Sequence, residues 1–226
     1  MADDVSNIFK EGDHLGLILN TSKCEVITHR GFNVQSSTLC SFQRVEVEET
    51  VLLGAPLFVS PARDSAWSQR CDDLRRAVGR LSNISSQEAL ILLRASFSAP
   101  RVLHLLRCSP SKAHPALEMF DSQLRSAVCH ITNSRLSGSQ WLQASLHVKE
   151  GGLGVRRVAS FALPAFLASA ASTLSLQALI LTDCTDSPEC HFLQAYLSDW
   201  STRFGTPPDQ LPPKQTSWDR PVVASL

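Results

Sequence analysis

The chain has 226 residues, 43% of them hydrophobic and 19% charged, with a net charge of zero. That length and apolar content can bury one good core, or a small domain beside a larger one, and they exclude a chain disordered throughout. Seven cysteines, Cys24, Cys40, Cys71, Cys108, Cys129, Cys184 and Cys190, stand singly and are odd in number. With no signal-peptide pattern ahead of them, a reducing intracellular compartment is expected rather than a disulfide framework.

The zero net charge hides a partition. Lys plus Arg minus Asp plus Glu gives 4 − 8 = −4 over residues 1–61, 14 − 7 = +7 over 62–157 and 3 − 6 = −3 over 158–226. Twelve of the fourteen cations in the middle section are arginine, whose planar fork suits phosphate oxygens. A polyanionic partner and an ordinary solvated helical surface both satisfy that pattern.

In chain order, residues 13–19 read as a helix end stopped at Gly16, and Met1-Ala2-Asp3-Asp4 as a solvated acidic end. Residues 25–28, 43–47 and 51–53 are short, β-branched and separated by turn residues, which predicts a small antiparallel sheet too slight to fold alone. Residues 1–60 thus form one unit.

From Pro61 the pattern is helical. Trp67, Cys71, Leu74, Val78 and Leu81 form one apolar stripe, and residues 85–88 read as a capping box opening a second helix that Pro100 breaks. Pro115 suits a first helical position ahead of Leu117, Phe120, Leu124, Val128 and Ile131, and residues 139–146 make a short fourth helix. The section 61–135 forms one helical unit and 136–204 a second. The second holds a glycine cluster (Gly151, Gly152, Gly154), one or two apolar helices within 156–181, and a last helix opened by Ser187-Pro188 with Phe192, Tyr196 and Trp200 spaced by four.

Residues 158–181 carry no charge and are long enough to cross a bilayer, but six are Ser, Thr or Gln, seven are Ala and Pro164 interrupts them, so a buried helix rather than a membrane span is expected. Five prolines in the last 22 residues predict a tail, 205–226, without regular structure.

The segment GLILNTSKCEVI, residues 16–27, and VLLGAPL, residues 51–57, resemble the reverse transcriptases of non-LTR retrotransposons, where the first closes the palm and the second is the primer-grip hairpin. ALILLRASFSAPRVLHLLRCSP, residues 89–110, is similar to the thumb of that family. FDSQLRSAV, 120–128, and QWLQASLHVKEGGLGVRRVASFALPAFLASAA, 140–171, look like the region beyond it. The matches run in family order over about residues 12–181. The resemblance implies a palm remnant and primer-grip hairpin over 1–60, a thumb over 61–135 and a post-thumb region over 136–204. It also implies an RNA-directed DNA polymerase whose Mg²⁺ ions, held by paired carboxylates, activate the primer hydroxyl and stabilise the leaving pyrophosphate.

The chain departs from that pattern at the carboxylates. Asp3-Asp4 is only faintly like the family's Tyr-x-Asp-Asp turn, and Asp4 lies twelve positions before Gly16, where the family places a whole helix. No metal ligands or cofactor are therefore expected of this chain alone, and the missing fingers and palm core are its implied partners, together with primer–template nucleic acid. The alternative is a non-catalytic helical remnant or protein-interaction module.

By the resemblance, Lys23 is the motif-D-like lysine that protonates the departing pyrophosphate; from the residues alone it is a cation in an exposed turn. Leu53, Gly54, Ala55 and Pro56 match the primer grip, and the small residues leave room for a nucleic-acid backbone, as they would for any tight turn. Arg70, Arg75, Arg76 and Arg80 lie off the apolar stripe of the first thumb-like helix and are the candidate duplex-backbone contacts. The glycine cluster could offer amides to phosphate or simply end a helix. Cys184, Cys190 and His191 lack the paired spacing of a zinc site, the seven histidines are scattered, and there is no P-loop or nucleophile elbow.

Overall fold

The computed structural model describes residues 2–28, 39–180, 191–207 and 210–226, and 69% of these are helical and 6% in strands, the mainly α class expected. Helix α1, Ala2–His14, ends at a turn in which Gly16 takes φ 71°, the left-handed stop that favours glycine. The acidic N-terminal residues thus open a helix. Strand β1, Glu25–Thr28, pairs with β2, Gln43–Glu46, and β3, Val51–Leu52, pairs with β4, Ala55–Pro56.

The expected antiparallel arrangement holds for the second pair only. β1 and β2 run parallel, with Glu25 opposite Gln43 and Thr28 opposite Glu46. Fourteen residues, 29–42, separate them, and a parallel connection needs a dozen or more, so the spacing permits what the local pattern did not reveal.

Helix α2, Pro61–Leu81, has proline in its first turn, where the fixed φ suits the helix and the missing N–H loses no partner. Helix α3, Ser86–Leu92, runs through a π turn at Leu93–Phe97 into α4, Ala99–Cys108, whose first turn holds Pro100. The expected cap at Ser85 accepts from the Glu88 N–H at 3.4 Å, but Glu88 meets the Ser85 hydroxyl at 2.7 Å instead of its backbone. Helix α5, Pro115–Ile131, follows, then α6, Gly138–Ser145, which carries the reciprocal capping box, Ser137 with Gln140. Helix α7, Val158–Ile180, is a single helix through Pro164. Helix α8, His191–Phe204, and helix α9, Gln215–Ala224, complete the order. The Ser187-Pro188 opening and the Cys184 and Cys190 thiols lie outside the described residues.

The main core forms where the α2 stripe (Trp67, Cys71, Leu74, Leu81) meets Leu117, Phe120, Leu124 and Val128 of α5, with Val102, Leu105 and Leu106 of α4 beside them. Each such side chain contributes about 1.5–3 kcal/mol on full burial. A second, smaller core joins Phe166 and Leu167 of α7 to Tyr196 and Trp200 of α8 and Trp218 and Val222 of α9. Among the described residues two apolar stretches, Ser86–Cys108 and Val158–Ile180, are long enough to cross a membrane by length and composition. In the first, Leu93, Val102, Leu105 and Leu106 are inside the main core; in the second, Val158 and residues 162–168 are buried in the two cores.

Helix α9 corrects the expectation of an irregular tail. Its Trp218 and Val222, one turn apart, bury an apolar stripe, and Trp218 meets Trp200 edge-on with ring centroids 4.9 Å apart. Asp219 receives two hydrogen bonds from Arg156, at 2.8 and 2.5 Å, and both side chains are largely buried. Four of the five prolines precede the helix, and the fifth, Pro221, removes one donor from it.

Candidate nucleic-acid interface

The hairpin β3–β4 turns on two residues. Leu53 at φ 50° and Gly54 at φ 81° give the two positive dihedrals that a type I′ turn requires. A left-handed conformation costs a non-glycine residue about 1–2 kcal/mol, so Leu53 holds strain while its side chain stands 85% exposed. No atom lies within 4 Å of where a Cβ on Gly54 would be, so the tip is open on that side.

Beneath the tip the hairpin is fixed to the helices. Ala55 and Pro56 are buried, and the Ser109 hydroxyl donates to the Pro56 carbonyl. His104 Nε2 lies 3.1 Å from the Leu53 carbonyl oxygen; a carbonyl only accepts, so Nε2 carries the proton, and Nδ1 faces the Cys108 thiol at 3.6 Å. The turn after α4 anchors α2 as well, since Trp67 Nε1 donates to Ser111 Oγ at 3.0 Å and Arg63 Nη1 to the Pro110 carbonyl at 2.9 Å.

The four arginines of α2 do not act as one face. At about 100° per residue, Arg76 and Arg80 lie about 40° apart, whereas Arg75 is about 100° round from Arg76 and Arg70 sits about 40° from the buried Leu74. Arg75 pairs with Asp72 at 2.8 Å on the outer flank. Arg70 reaches Asp73 at 3.5 Å with its side chain two-thirds covered.

Arg76 and Arg80 instead join a residue that no local pattern marked. Arg101, on α4, reaches Asp73 at 3.5 Å, and Arg76 reaches it at 2.5 Å, so one carboxylate holds cations from two helices. Hydrogen bonds from the Gln69 amide and then the Arg76 guanidinium keep the Asp73 carboxyl below the usual carboxylate range. Around them lies a groove of about 440 Å³ lined by Arg76, Arg80 and Arg101 and floored by Leu81, Ile84, Leu92 and Phe97. The lining charges, Arg76, Arg80 and Arg101 with Asp73, sum to +2. No periodicity on α2 could reveal Arg101, because the contact spans 28 positions.

One turn of α4 separates Arg101 from His104, so the hairpin tip and the groove border the same helix. Lys23 is elsewhere. Asn20 caps a three-residue 3₁₀ turn, Thr21–Lys23, by accepting from the Ser22 N–H at 3.2 Å, and Lys23 ends it exposed, the turn packing against β2.

The glycine cluster is a structural turn. The amides of Gly151, Gly152, Leu153 and Gly154 donate to the carbonyls of Val148, His147, Ala144 and Leu146, at 2.9–3.0 Å, and none is left for phosphate. Gly152 packs so tightly that a Cβ there would overlap the Leu146 carbonyl.

The described residues assemble no site for a Mg²⁺ pair. Among the described residues no three His, Cys, Asp or Glu side chains converge, and Asp4 lies in the first turns of α1 instead of a turn between strands. Among the described residues the one deeply buried carboxylate outside α9, Asp121, is structural: it accepts from the amides of Val158 at 2.6 Å and Ala159 at 3.1 Å, capping α7 from another helix. Burial pushes its carboxyl up to about 6 against the pull of those two hydrogen bonds. No protein family, curated protein or solved structure matches this chain.

Proposed function

We propose that this chain is the downstream part of a reverse transcriptase of the non-LTR type, and that it binds primer–template duplex through the Leu53-Gly54-Ala55-Pro56 hairpin and the arginine groove of α2 and α4. The observation that carries this is the shared border of α4, which puts a strained, exposed hairpin tip one helical turn from three converging arginines. The tip offers a small, open backbone, and the groove offers a net +2 toward phosphate. Catalysis is assigned to a complementary fingers and palm core that holds Mg²⁺, with Lys23 the proton donor to pyrophosphate once that body is in place. Alone, the chain binds and does not polymerise.

The test is binding of the purified chain to an RNA/DNA hybrid, followed by fluorescence anisotropy, for the parent and for Leu53→Glu. Leu53 is so exposed that the substitution leaves stability within about 0.5 kcal/mol. A carboxylate at the tip should weaken hybrid binding several-fold through repulsion of phosphate. Unchanged affinity removes the hairpin from the interface.

One observation favours a second reading, a protein-interaction module. Leu15, Leu17 and Ile18 are 75%, 66% and 93% exposed, an apolar run that suits burial against another protein body. If the parent chain does not bind hybrid at all, and Ile18→Glu abolishes self-association or pull-down of a purified polymerase body, that reading replaces the first.

A further inference from the structure

The groove holds more than phosphate-binding charge. Its rim is Arg76, Arg80 and Arg101, but its floor is apolar, and Ile84 and Leu92 there are each 41% exposed while Phe97 is half-buried. A duplex backbone passing over the rim would use the arginines and leave this floor in water, because paired bases are stacked inside the helix and show no free face. A ligand that satisfies both parts carries an anionic phosphate and a flat apolar surface on the same unit. An unpaired nucleotide is that ligand: its phosphate meets the guanidinium forks and its base lies on Phe97 and the aliphatic side chains.

We propose that this groove is a subsite for an unpaired nucleotide of the bound nucleic acid, a single-stranded extension next to the duplex, so that the chain recognises a junction. The proposal rests on the nucleic-acid reading given above and adds a substrate class to it. Three features of the site support it independently of the charge count. Asp73 holds Arg76 and Arg101 from two helices at 2.5 and 3.5 Å, so the rim is oriented before any ligand arrives. Phe97 closes the π turn between α3 and α4, where the α-helical register is broken, and such turns recur at functional sites. The groove volume, about 440 Å³, falls in the range of small-molecule sites.

The experiment compares one RNA/DNA hybrid in two forms, blunt and with a three-nucleotide single-stranded extension, titrated against the full chain at fixed salt. The extension should tighten binding roughly tenfold or more, as stacking of one base on a protein aromatic does. A 2-aminopurine in the extension should change its fluorescence on binding. Ile84→Asn, at an exposed floor position, and Phe97→Leu, which keeps apolar volume but removes the ring, should abolish the gain. Equal affinity for the two forms, or a gain insensitive to both substitutions, overturns the subsite and leaves the duplex reading standing. Failure to bind either form overturns both. Displacement of the extension by an acidic peptide of equal charge at equal concentration assigns the groove to a protein partner and also overturns the proposal.

Discussion

The arginine groove makes the most quantitative prediction. Arg76 and Arg80 lie about 40° apart on α2 and face Arg101, and with Asp73 the group carries 3 − 1 = +2. Substituting both, Arg76→Gln with Arg80→Gln, leaves Arg101 opposite Asp73 and a net charge of zero. Removing one arginine–phosphate pair takes about 0.9 from the slope of log affinity against log salt, so the double variant should fall short of the parent slope by about 1.8. Over a fourfold rise in salt the parent should then weaken roughly twelvefold more than the variant, because 4 raised to 1.8 is about 12. Anisotropy titrations with an RNA/DNA hybrid at four salt concentrations measure this directly. Arg75→Gln is the control, since Arg75 is paired with Asp72 on another flank and its replacement should change the slope by less than one phosphate equivalent. A slope unchanged in the double variant, or an equal change in the control, refutes the assignment of the groove.

Three further predictions concern what holds the interface in place. Asp121→Ala leaves the buried amides of Val158 and Ala159 without an acceptor and should cost about 1–3 kcal/mol for each in urea denaturation. Because burial raises the folded carboxyl to about 6, above its ordinary value of about 4, the folded state binds the proton more tightly than the unfolded chain. The group's contribution is therefore full below about pH 4 and is lost as pH rises to about 6, a slope that Asp121→Asn should remove. Gly152→Ala should destabilise by about 1–3 kcal/mol or prevent folding, since the obstruction is the Leu146 backbone, whereas Gly138→Ala meets open space and should be neutral or stabilising. Asp219→Ala should cost about 3–5 kcal/mol by stranding the buried Arg156 charge, with a change in Trp218 emission as α9 detaches; Arg156→Met with Asp219→Leu should recover most of the loss.

What the sequence disclosed follows the range of the forces involved. Helix α2 was legible because its stripe repeats at three and four residues, and α5 because Pro115 marks its first turn; both signals are local and survive in the chain. The parallel pairing of β1 with β2 was not, because four polar-rich residues per strand set no register and the partner lies across residues 29–42. Helix α9 was hidden by the prolines before it, and its stability comes from Trp200 and Arg156, neither of them in the tail. The Trp218–Val222 spacing was the signal available.

The candidate site divides in the same way. Over residues 51–56 composition showed a short strand and a tight turn, and the hairpin was what the family resemblance implied; the structure pairs Val51–Leu52 with Ala55–Pro56 across it. The arginines were readable as residues but not as a group, because helical spacing sorts Arg75 from Arg76 and only the tertiary contact through Asp73 brings Arg101 to the other two. Asp121 lies beside the α5 stripe with no local marker of a role, because its part as the cap of α7 depends on a partner 37 residues away.

Hydrogen–deuterium exchange of the full chain with and without a primer–template hybrid tests the nucleic-acid reading most directly. Protection should concentrate at the hairpin, residues 51–56, and along residues 73–80 and 97–104 on the two helices that line the groove. Protection confined to residues 8–18, or none anywhere at saturating hybrid, contradicts it.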